Sequence, residues 1–492
     1  MMNVAVIGSG IGGLASALRL AKLGLKVSVF EANDFVGGKV NEQWLGAYRF
    51  DMGPSVFTEP ALIEELLSLV NKDKSDFSYR RLPESCRYFF EDGQFVVVPS
   101  GMDEVAETFS TQFGESRVRT KRFLKRLSRN YQALYPVFIE ASLHRRHHWL
   151  NRGIWKALAR IPYYGMATSM SAVNRRYFRN PKSAQLLNRM ATYNGSSPYR
   201  TPGLLNIISH LEFNEGPAMP VGGMVRISQT LHQLCLELGV QFYLGERVEE
   251  IQHQDQRVIG IRTTKQDFPC EIVVSNMDVH FTYERLLKGL HYPTKILNQE
   301  KSSSAIVFYW GIKGTFKELG VHNIFFANDY EAEFDALFKT KTRYEDPTIY
   351  VHITSKVEKS DAPEGSENWF VMVNAPINVG QDWDEFVAQT RKSCLAKLSK
   401  ALNQDIESLV DVEALNDPRK IEAVYFGKQG SIYGNSSNSA FSAFYRHPNF
   451  SKTLAGLYFA GVTVHPGGGI PLALNSAKIV AKCVQEDFQL SS

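Results

Sequence analysis

Three glycines, Gly8, Gly10 and Gly13, follow directly on the apolar run Val4-Ala5-Val6-Ile7 and leave this chain little choice of fold. A short, uninterrupted apolar run is what a parallel strand buried on both faces requires. The run breaks into Gly8-Ser9-Gly10-Ile11-Gly12-Gly13, and from there Ala15, Leu18, Ala21 and Leu23 keep an apolar side on a helix that Gly24 ends. Gly8 serves the tight turn, Gly10 lets the backbone approach a pyrophosphate, and Gly13 lets the helix lie close to the sheet. The helix N-terminus then presents unpaired N–H groups to the phosphates. Residues 26–30 form a second alternating strand, which Glu31 ends where a carboxylate meets ribose hydroxyls.

At 492 residues and 44% hydrophobic content, the chain is too long for one core and suits two or three domains. No stretch approaches the roughly 20 apolar residues of a membrane span, and the N-terminal segment is already a strand of the fold, so a cytoplasmic protein is expected. The five cysteines stand without a CxxC or regular spacing, which argues for reduced core thiols.

The charge is unevenly spread. From 116 to 211 there are 18 Lys or Arg and one acid, Glu140, so this window carries +17 in a chain of formal charge +4, leaving −13 elsewhere. Trp149, Trp155, Tyr163, Tyr164, Tyr177 and Phe178 are interleaved with the basic residues, as in a segment that lies on an anionic membrane. No nucleic-acid module is recognisable, and the acidic remainder would repel a polyanion, so no nucleic-acid partner is expected. His144, His147 and His148 match one histidine box of membrane di-iron enzymes, but no second box accompanies them. We therefore expect no metal site and a solvated or interfacial histidine cluster.

Six residues beyond Glu31 comes Gly37-Gly38-Lys39-Val40, and this Glu-x5-Gly-Gly-Lys pattern resembles the extended fingerprint of the FAD-dependent amine oxidase and carotenoid desaturase superfamily. Two glycines let the chain cross close to ribose and pyrophosphate, and Lys39 adds a positive charge. Asp51-Met52-Gly53-Pro54-Ser55 resembles a family segment near the isoalloxazine ring. Val248 stands where the family's chain passes the adenine, and Ser275-Asn276-Met277-Asp278 resembles its Ser-Asn-Ala-Asp turn, with Met277 a departure. Near the far end a strand, a glycine loop and a helix with Pro471 in its first turn repeat the geometry of the opening motif. Here Gly461, Gly469, Ile470, Pro471 and Asn475 are the candidate residues at the flavin's pyrimidine edge. The run Val464-His465-Pro466-Gly467-Gly468-Gly469-Ile470-Pro471 is most similar to the hydroxycarotenoid 3,4-desaturase branch.

The resemblance implies an α/β fold: a Rossmann-like FAD-binding domain of residues 1–75, 215–300 and 440–492, with an inserted mixed-sheet substrate domain of residues 76–113 and 301–439. The helical residues 114–214 form a basic, membrane-contacting region. It implies FAD-dependent desaturation of a carotenoid end, expected as 3,4-desaturation of a 1-hydroxycarotenoid, by a peripherally membrane-associated enzyme. Phytoene desaturation, amine oxidation and non-enzymatic prenyl-lipid binding on the same fold are the alternatives. Arg152 resembles an arginine of a family segment and is the candidate residue near the chemistry. The sequence leaves the oligomeric state open.

Overall fold

The protein is described by a computed structural model. It covers residues 2–142, 144, 145, 148, 149, 152–290, 292–439, 442 and 445–490, without the side chains of residues 152, 161 and 162.

Val4 and Val6 point to one side of the strand Asn3–Ile7 and Ala5 and Ile7 to the other, and all four are buried. This strand is the centre of a five-stranded, wholly parallel sheet. Ile272–Ser275 and Lys26–Phe30 flank it, and Leu457–Phe459 and Gln241–Tyr243 are the edges. On one face pack the helices Ile11–Lys22, Val225–Glu237 and Ile470–Asp487. The other face is covered by a three-stranded antiparallel sheet, Val248–Gln254, Arg257–Thr263 and Asp267–Pro269. An uninterrupted apolar run is thus explained by burial on both sides, each Val or Ile contributing about 1.5–3 kcal/mol.

The second large sheet has seven strands, ordered Val410–Asn416, Ser304–Lys313, Ser366–Ala375, Ile349–Ile353, His322–Phe325, Glu84–Phe89 and Phe95–Pro99. Only the pair His322–Phe325 and Glu84–Phe89 runs parallel. Asp92-Gly93 makes the expected hairpin between the last two strands, Gly93 N–H donating to the Phe90 carbonyl at 3.0 Å. Strand alternation assigns two different tasks to this sheet. Ile306, Phe308 and Trp310 face the helix Trp383–Leu402, whereas Ala305 and Val307 turn to the opposite face and line a cavity. All five strands of the parallel sheet come from residues 1–75, 215–300 and 440–492, which supports the domain division we propose.

The elements described between residues 102 and 215 are helices, led by Arg117–Leu134, whose Phe123, Leu124 and Leu127 are buried. Ser116 caps it by accepting from the Arg119 N–H. These helices lie over the cavity, to which they contribute Tyr131, Leu134 and Leu204.

Candidate functional site

The glycine turn is set by contacts too close for side chains. A Cβ on Gly13 would stand 2.0 Å from the Gly8 carbonyl oxygen, and one on Gly12 would stand 2.8 Å from the Gly461 Cα. The two ends of the chain therefore meet at this turn. Asn276 fills the remaining space, its Nδ2 2.7 Å from where a Gly10 Cβ would lie. Glu31 accepts from the Ser9 N–H and hydroxyl, both at 2.8 Å, and from the Asn33 N–H and Nδ2, both at 2.9 Å. The Gly37 N–H donates to the Ser9 carbonyl at 2.9 Å, which closes the loop 31–40 over the turn.

These elements edge a single large cavity of about 730 Å³. Gly8, Gly10, Ile11, Gly12, Glu31, Gly37, Gly38, Lys39 and Val40 line it, with Gly53, Pro54, Ser55, Val248, Asn276, Gly461, Gly469, Ile470 and Pro471. Ser9, Gly13 and Asn475 stand behind that wall: Ser9 orients Glu31, Gly13 seats the helix, and Asn475 donates to the Pro471 carbonyl and the Tyr135 hydroxyl at 3.0 and 3.1 Å. The cradle fits a dinucleotide: Gly8, Gly10 and Gly12 present bare backbone to the cavity, Glu31 is at the end of the second strand, and helices starting at Ile11 and Ile470 both open on the cavity. Lys39 donates to the Ile432 carbonyl at 2.7 Å, and burial lowers its pKa to about 8 against the opposing pull of Asp278.

Beyond the cradle the cavity becomes apolar. Val307, Phe370 and Met372 of the seven-stranded sheet form one side, and Leu204, Ile208 and Leu211 of the helical cover form the other. Polar groups interrupt this lining, and the sequence reading missed two features that carry ionisable side chains. One is Glu59, whose carboxylate accepts from the Tyr131 hydroxyl and whose pKa is raised by burial. The other is the buried pair of Arg189 and Glu212. A lone acid between Thr58 and Pro60 was the available signal for the first.

The helical cover is less positive than its composition suggests. Arg117, Lys121, Arg145, Arg175, Lys182, Arg189 and Arg200 pair with acids that all come from outside residues 116–211, from Asp92 ahead of that window to Asp487 near the end of the chain. Arg122, Lys125, Arg129, Lys156 and Arg160 are exposed and form no ion pair among the described residues; the same cover exposes Trp155 and Tyr163 by 60% and 66%. Among the described residues no helix is long and apolar enough to cross a membrane. The histidine cluster corrects its expectation in part: His144 is half-buried, edge-on to His465 at 5.7 Å, and burial lowers its pKa to about 4, while His147 lies outside the described residues. The side chain of Arg152, at the start of the helix Arg152–Leu158, also lies outside them.

Comparison with known proteins agrees with this geometry. The profile of the family described as "flavin containing amine oxidoreductase" matches residues 11–485. A 1-hydroxycarotenoid 3,4-desaturase of Flavobacterium sp. (strain P99-3) is 46% identical over 484 residues, covering 98% of this chain and 99% of that protein. A 4,4'-diapolycopene oxygenase of Methylomonas sp is 31% identical, with 99% of each chain covered. Among solved structures, a putrescine oxidase variant superimposes with a TM-score of 0.66 at 14% identity, covering 99% of each chain. An oxidoreductase from Methanosarcina mazei gives 0.64 at 16%, covering 99% of this chain and all of that one.

Proposed function

Because the chain belongs to the family of flavin-containing amine oxidoreductases and is an FAD-dependent oxidoreductase, we propose that it desaturates a carotenoid end, in the manner of a 1-hydroxycarotenoid 3,4-desaturase. The observation that carries this reading is the reach of the likeness: the match at 46% identity takes in 98% of this chain and 99% of that protein, so it is not confined to the cofactor-binding segments.

FAD, when bound, supplies the two-electron acceptor. The residues that would hold it are the glycines of both chain ends, Glu31 toward the ribose, Lys39 toward negative charge, and the helix start at Ile470 and Pro471. The chain's other task is to seat a long apolar molecule and exclude water. Val307, Phe370 and Met372 on one side and Leu204, Ile208 and Leu211 on the other suit that task. Removing two hydrogens from adjacent carbons also requires a proton acceptor. We assign that role to Glu59, a carboxylate on the cavity wall that Tyr131 holds in place and that has no cationic partner among the described residues.

A carotenoid reaches such a cavity from a bilayer. The exposed basic residues of the cover, with Trp155 and Tyr163, form the face we assign to an anionic membrane surface. Flavin-loaded protein mixed with liposomes carrying an acyclic hydroxycarotenoid should yield a product two hydrogens lighter that absorbs at longer wavelength. An unchanged pigment in the presence of bound flavin would refute the reading. Sedimentation with anionic liposomes at low salt, lost at high salt, tests the docking face separately.

A further inference from the structure

One wall of the cavity is polar in a way that oxidising a hydrocarbon does not require. Arg189 and Glu212 are 7% and 1% exposed, pair with each other and both line the cavity. The Tyr193 hydroxyl donates to Glu212 Oε2 at 2.6 Å. The Tyr88 hydroxyl accepts from Arg189 Nη2 at 3.1 Å and donates to Glu212 Oε1 at 3.2 Å. Arg189 Nε finds no hydrogen-bond partner among the described residues. Taking two charges out of water costs several kcal/mol per ion, roughly, before their attraction is counted, and apolar residues of similar volume would line a hydrocarbon channel at less cost. Beside this pair, the Ser55 and Tyr350 hydroxyls lie 2.9 Å apart on the same cavity, and Tyr350 is bonded to His322 Nδ1 at 2.7 Å. Tyr350 is near enough to Tyr193 to act on it electrostatically.

The pair is neutral overall, so the wall suits a neutral oxygen. An alcohol can accept from a guanidinium or phenol and donate to a carboxylate, whereas a carbonyl only accepts and a carboxylate would face the charge of Glu212. We propose that Arg189, Glu212 and Tyr193, with Ser55 and Tyr350 beside them, form the subsite for the substrate's hydroxyl group. The inference rests on the desaturase reading and adds to it the residues that choose a hydroxylated end. It also agrees with bond counting: in a 1-hydroxy, 3,4-desaturation the oxygen is three bonds from the nearer reacting carbon, so both must be held in one cavity. Ser55 satisfies this condition, since it closely follows Gly53, whose Cα packs so tightly on the cofactor cradle that a Cβ there would lie 2.2 Å from the Lys39 carbonyl oxygen.

The test compares an acyclic carotenoid bearing a tertiary terminal hydroxyl with the same hydrocarbon lacking it. For flavin-loaded wild type, Tyr193→Phe and the double variant Arg189→Met/Glu212→Leu, one measures the ratio of kcat/KM values and, independently, the ratio of Kd values by quenching of tryptophan fluorescence. Wild type should prefer the alcohol by at least about 100-fold, since a site built to bond a hydroxyl rejects the analogue without it. Tyr193→Phe should lower both ratios about tenfold, and the double variant should abolish the preference. If the double variant fails to retain flavin, the ratios for Tyr193→Phe decide. No preference in wild type, or a preference untouched by the variants, overturns the subsite while desaturation stands. Desaturation of neither carotenoid overturns the functional reading and the subsite with it.

Discussion

The cofactor cradle and the substrate cavity share one enclosure but are built on opposite terms. In the cradle the determining contacts are between backbones: Gly12 against Gly461, Gly13 against the Gly8 carbonyl, Gly37 N–H on the Ser9 carbonyl. In the substrate cavity they are between side chains far apart in the chain, Glu59 with Tyr131 and Arg189 with Glu212 and Tyr88. A cradle made of backbone admits one residue type at each place. A wall made of side chains can change its ligand by substitution while the sheet behind it stays the same, which agrees with the 0.66 TM-score shared with a putrescine oxidase variant at only 14% identity.

The largest expected effect belongs to the side-chain region. Glu59→Gln keeps the shape and removes the proton acceptor, so kcat should fall by about 10²–10⁴ with flavin content unchanged. The sign of the pH dependence follows from burial: the carboxylate must be ionised to accept a proton, and its raised pKa moves the acid limb of activity to higher pH than an exposed glutamate would give. Wild-type activity should therefore fall as pH drops through that limb, and the limb should be missing in Glu59→Gln. A variant that keeps full activity and the same profile would show that Glu59 is only a bonding partner for Tyr131.

Next in size is Gly13→Ala, one methyl group in the backbone region. Its Cβ would lie 2.0 Å from a carbonyl oxygen, so the helix Ile11–Lys22 must lift from the sheet. Overpacking of this kind costs about 1–3 kcal/mol, or up to roughly 100-fold in flavin affinity. Fluorescence titration with FAD measures it; an affinity equal to wild type would break the claim that the cradle tolerates one residue only.

The same contrast explains what could be read from the sequence. The parallel sheet, the turn at 8–13 and the helix begun by Pro471 were legible because strand period, glycine spacing and helix starts are local signals. The cavity's polar features were not, because Glu59 and Tyr131 are 72 positions apart, and Tyr88 and Arg189 are 101 apart, with no period to connect them. The charge count is limited for the same reason: composition counts Arg145 and Lys182 as free cations, while folding brings Asp487 and Asp92 to them. Arg122, Lys125, Arg129, Lys156 and Arg160 remain exposed on the cover.

Lys39 decides on which side of the comparison the boundary falls, and its effect is the smallest. It comes from the cradle's sequence pattern, yet its ammonium reaches across to the Ile432 carbonyl. With a pKa lowered by burial to about 8, the free protein loses this charge as pH rises through 8, whereas an anionic cofactor favours the charged form. FAD affinity should thus be full below pH 8 and fall by up to about tenfold per pH unit above it, until the pKa of the bound form is reached. Stability of the cofactor-free protein should change with the opposite sign: between about 8 and 10.5 the unfolded chain binds more protons at this residue, so stability rises with pH. Lys39→Met should weaken FAD about tenfold at pH 7 and remove its share of both slopes, while Lys39→Arg, protonated throughout, should hold affinity level from about pH 7 to 9. If Lys39→Met leaves affinity and slope unchanged, its charge serves the substrate side of the enclosure rather than the cofactor cradle.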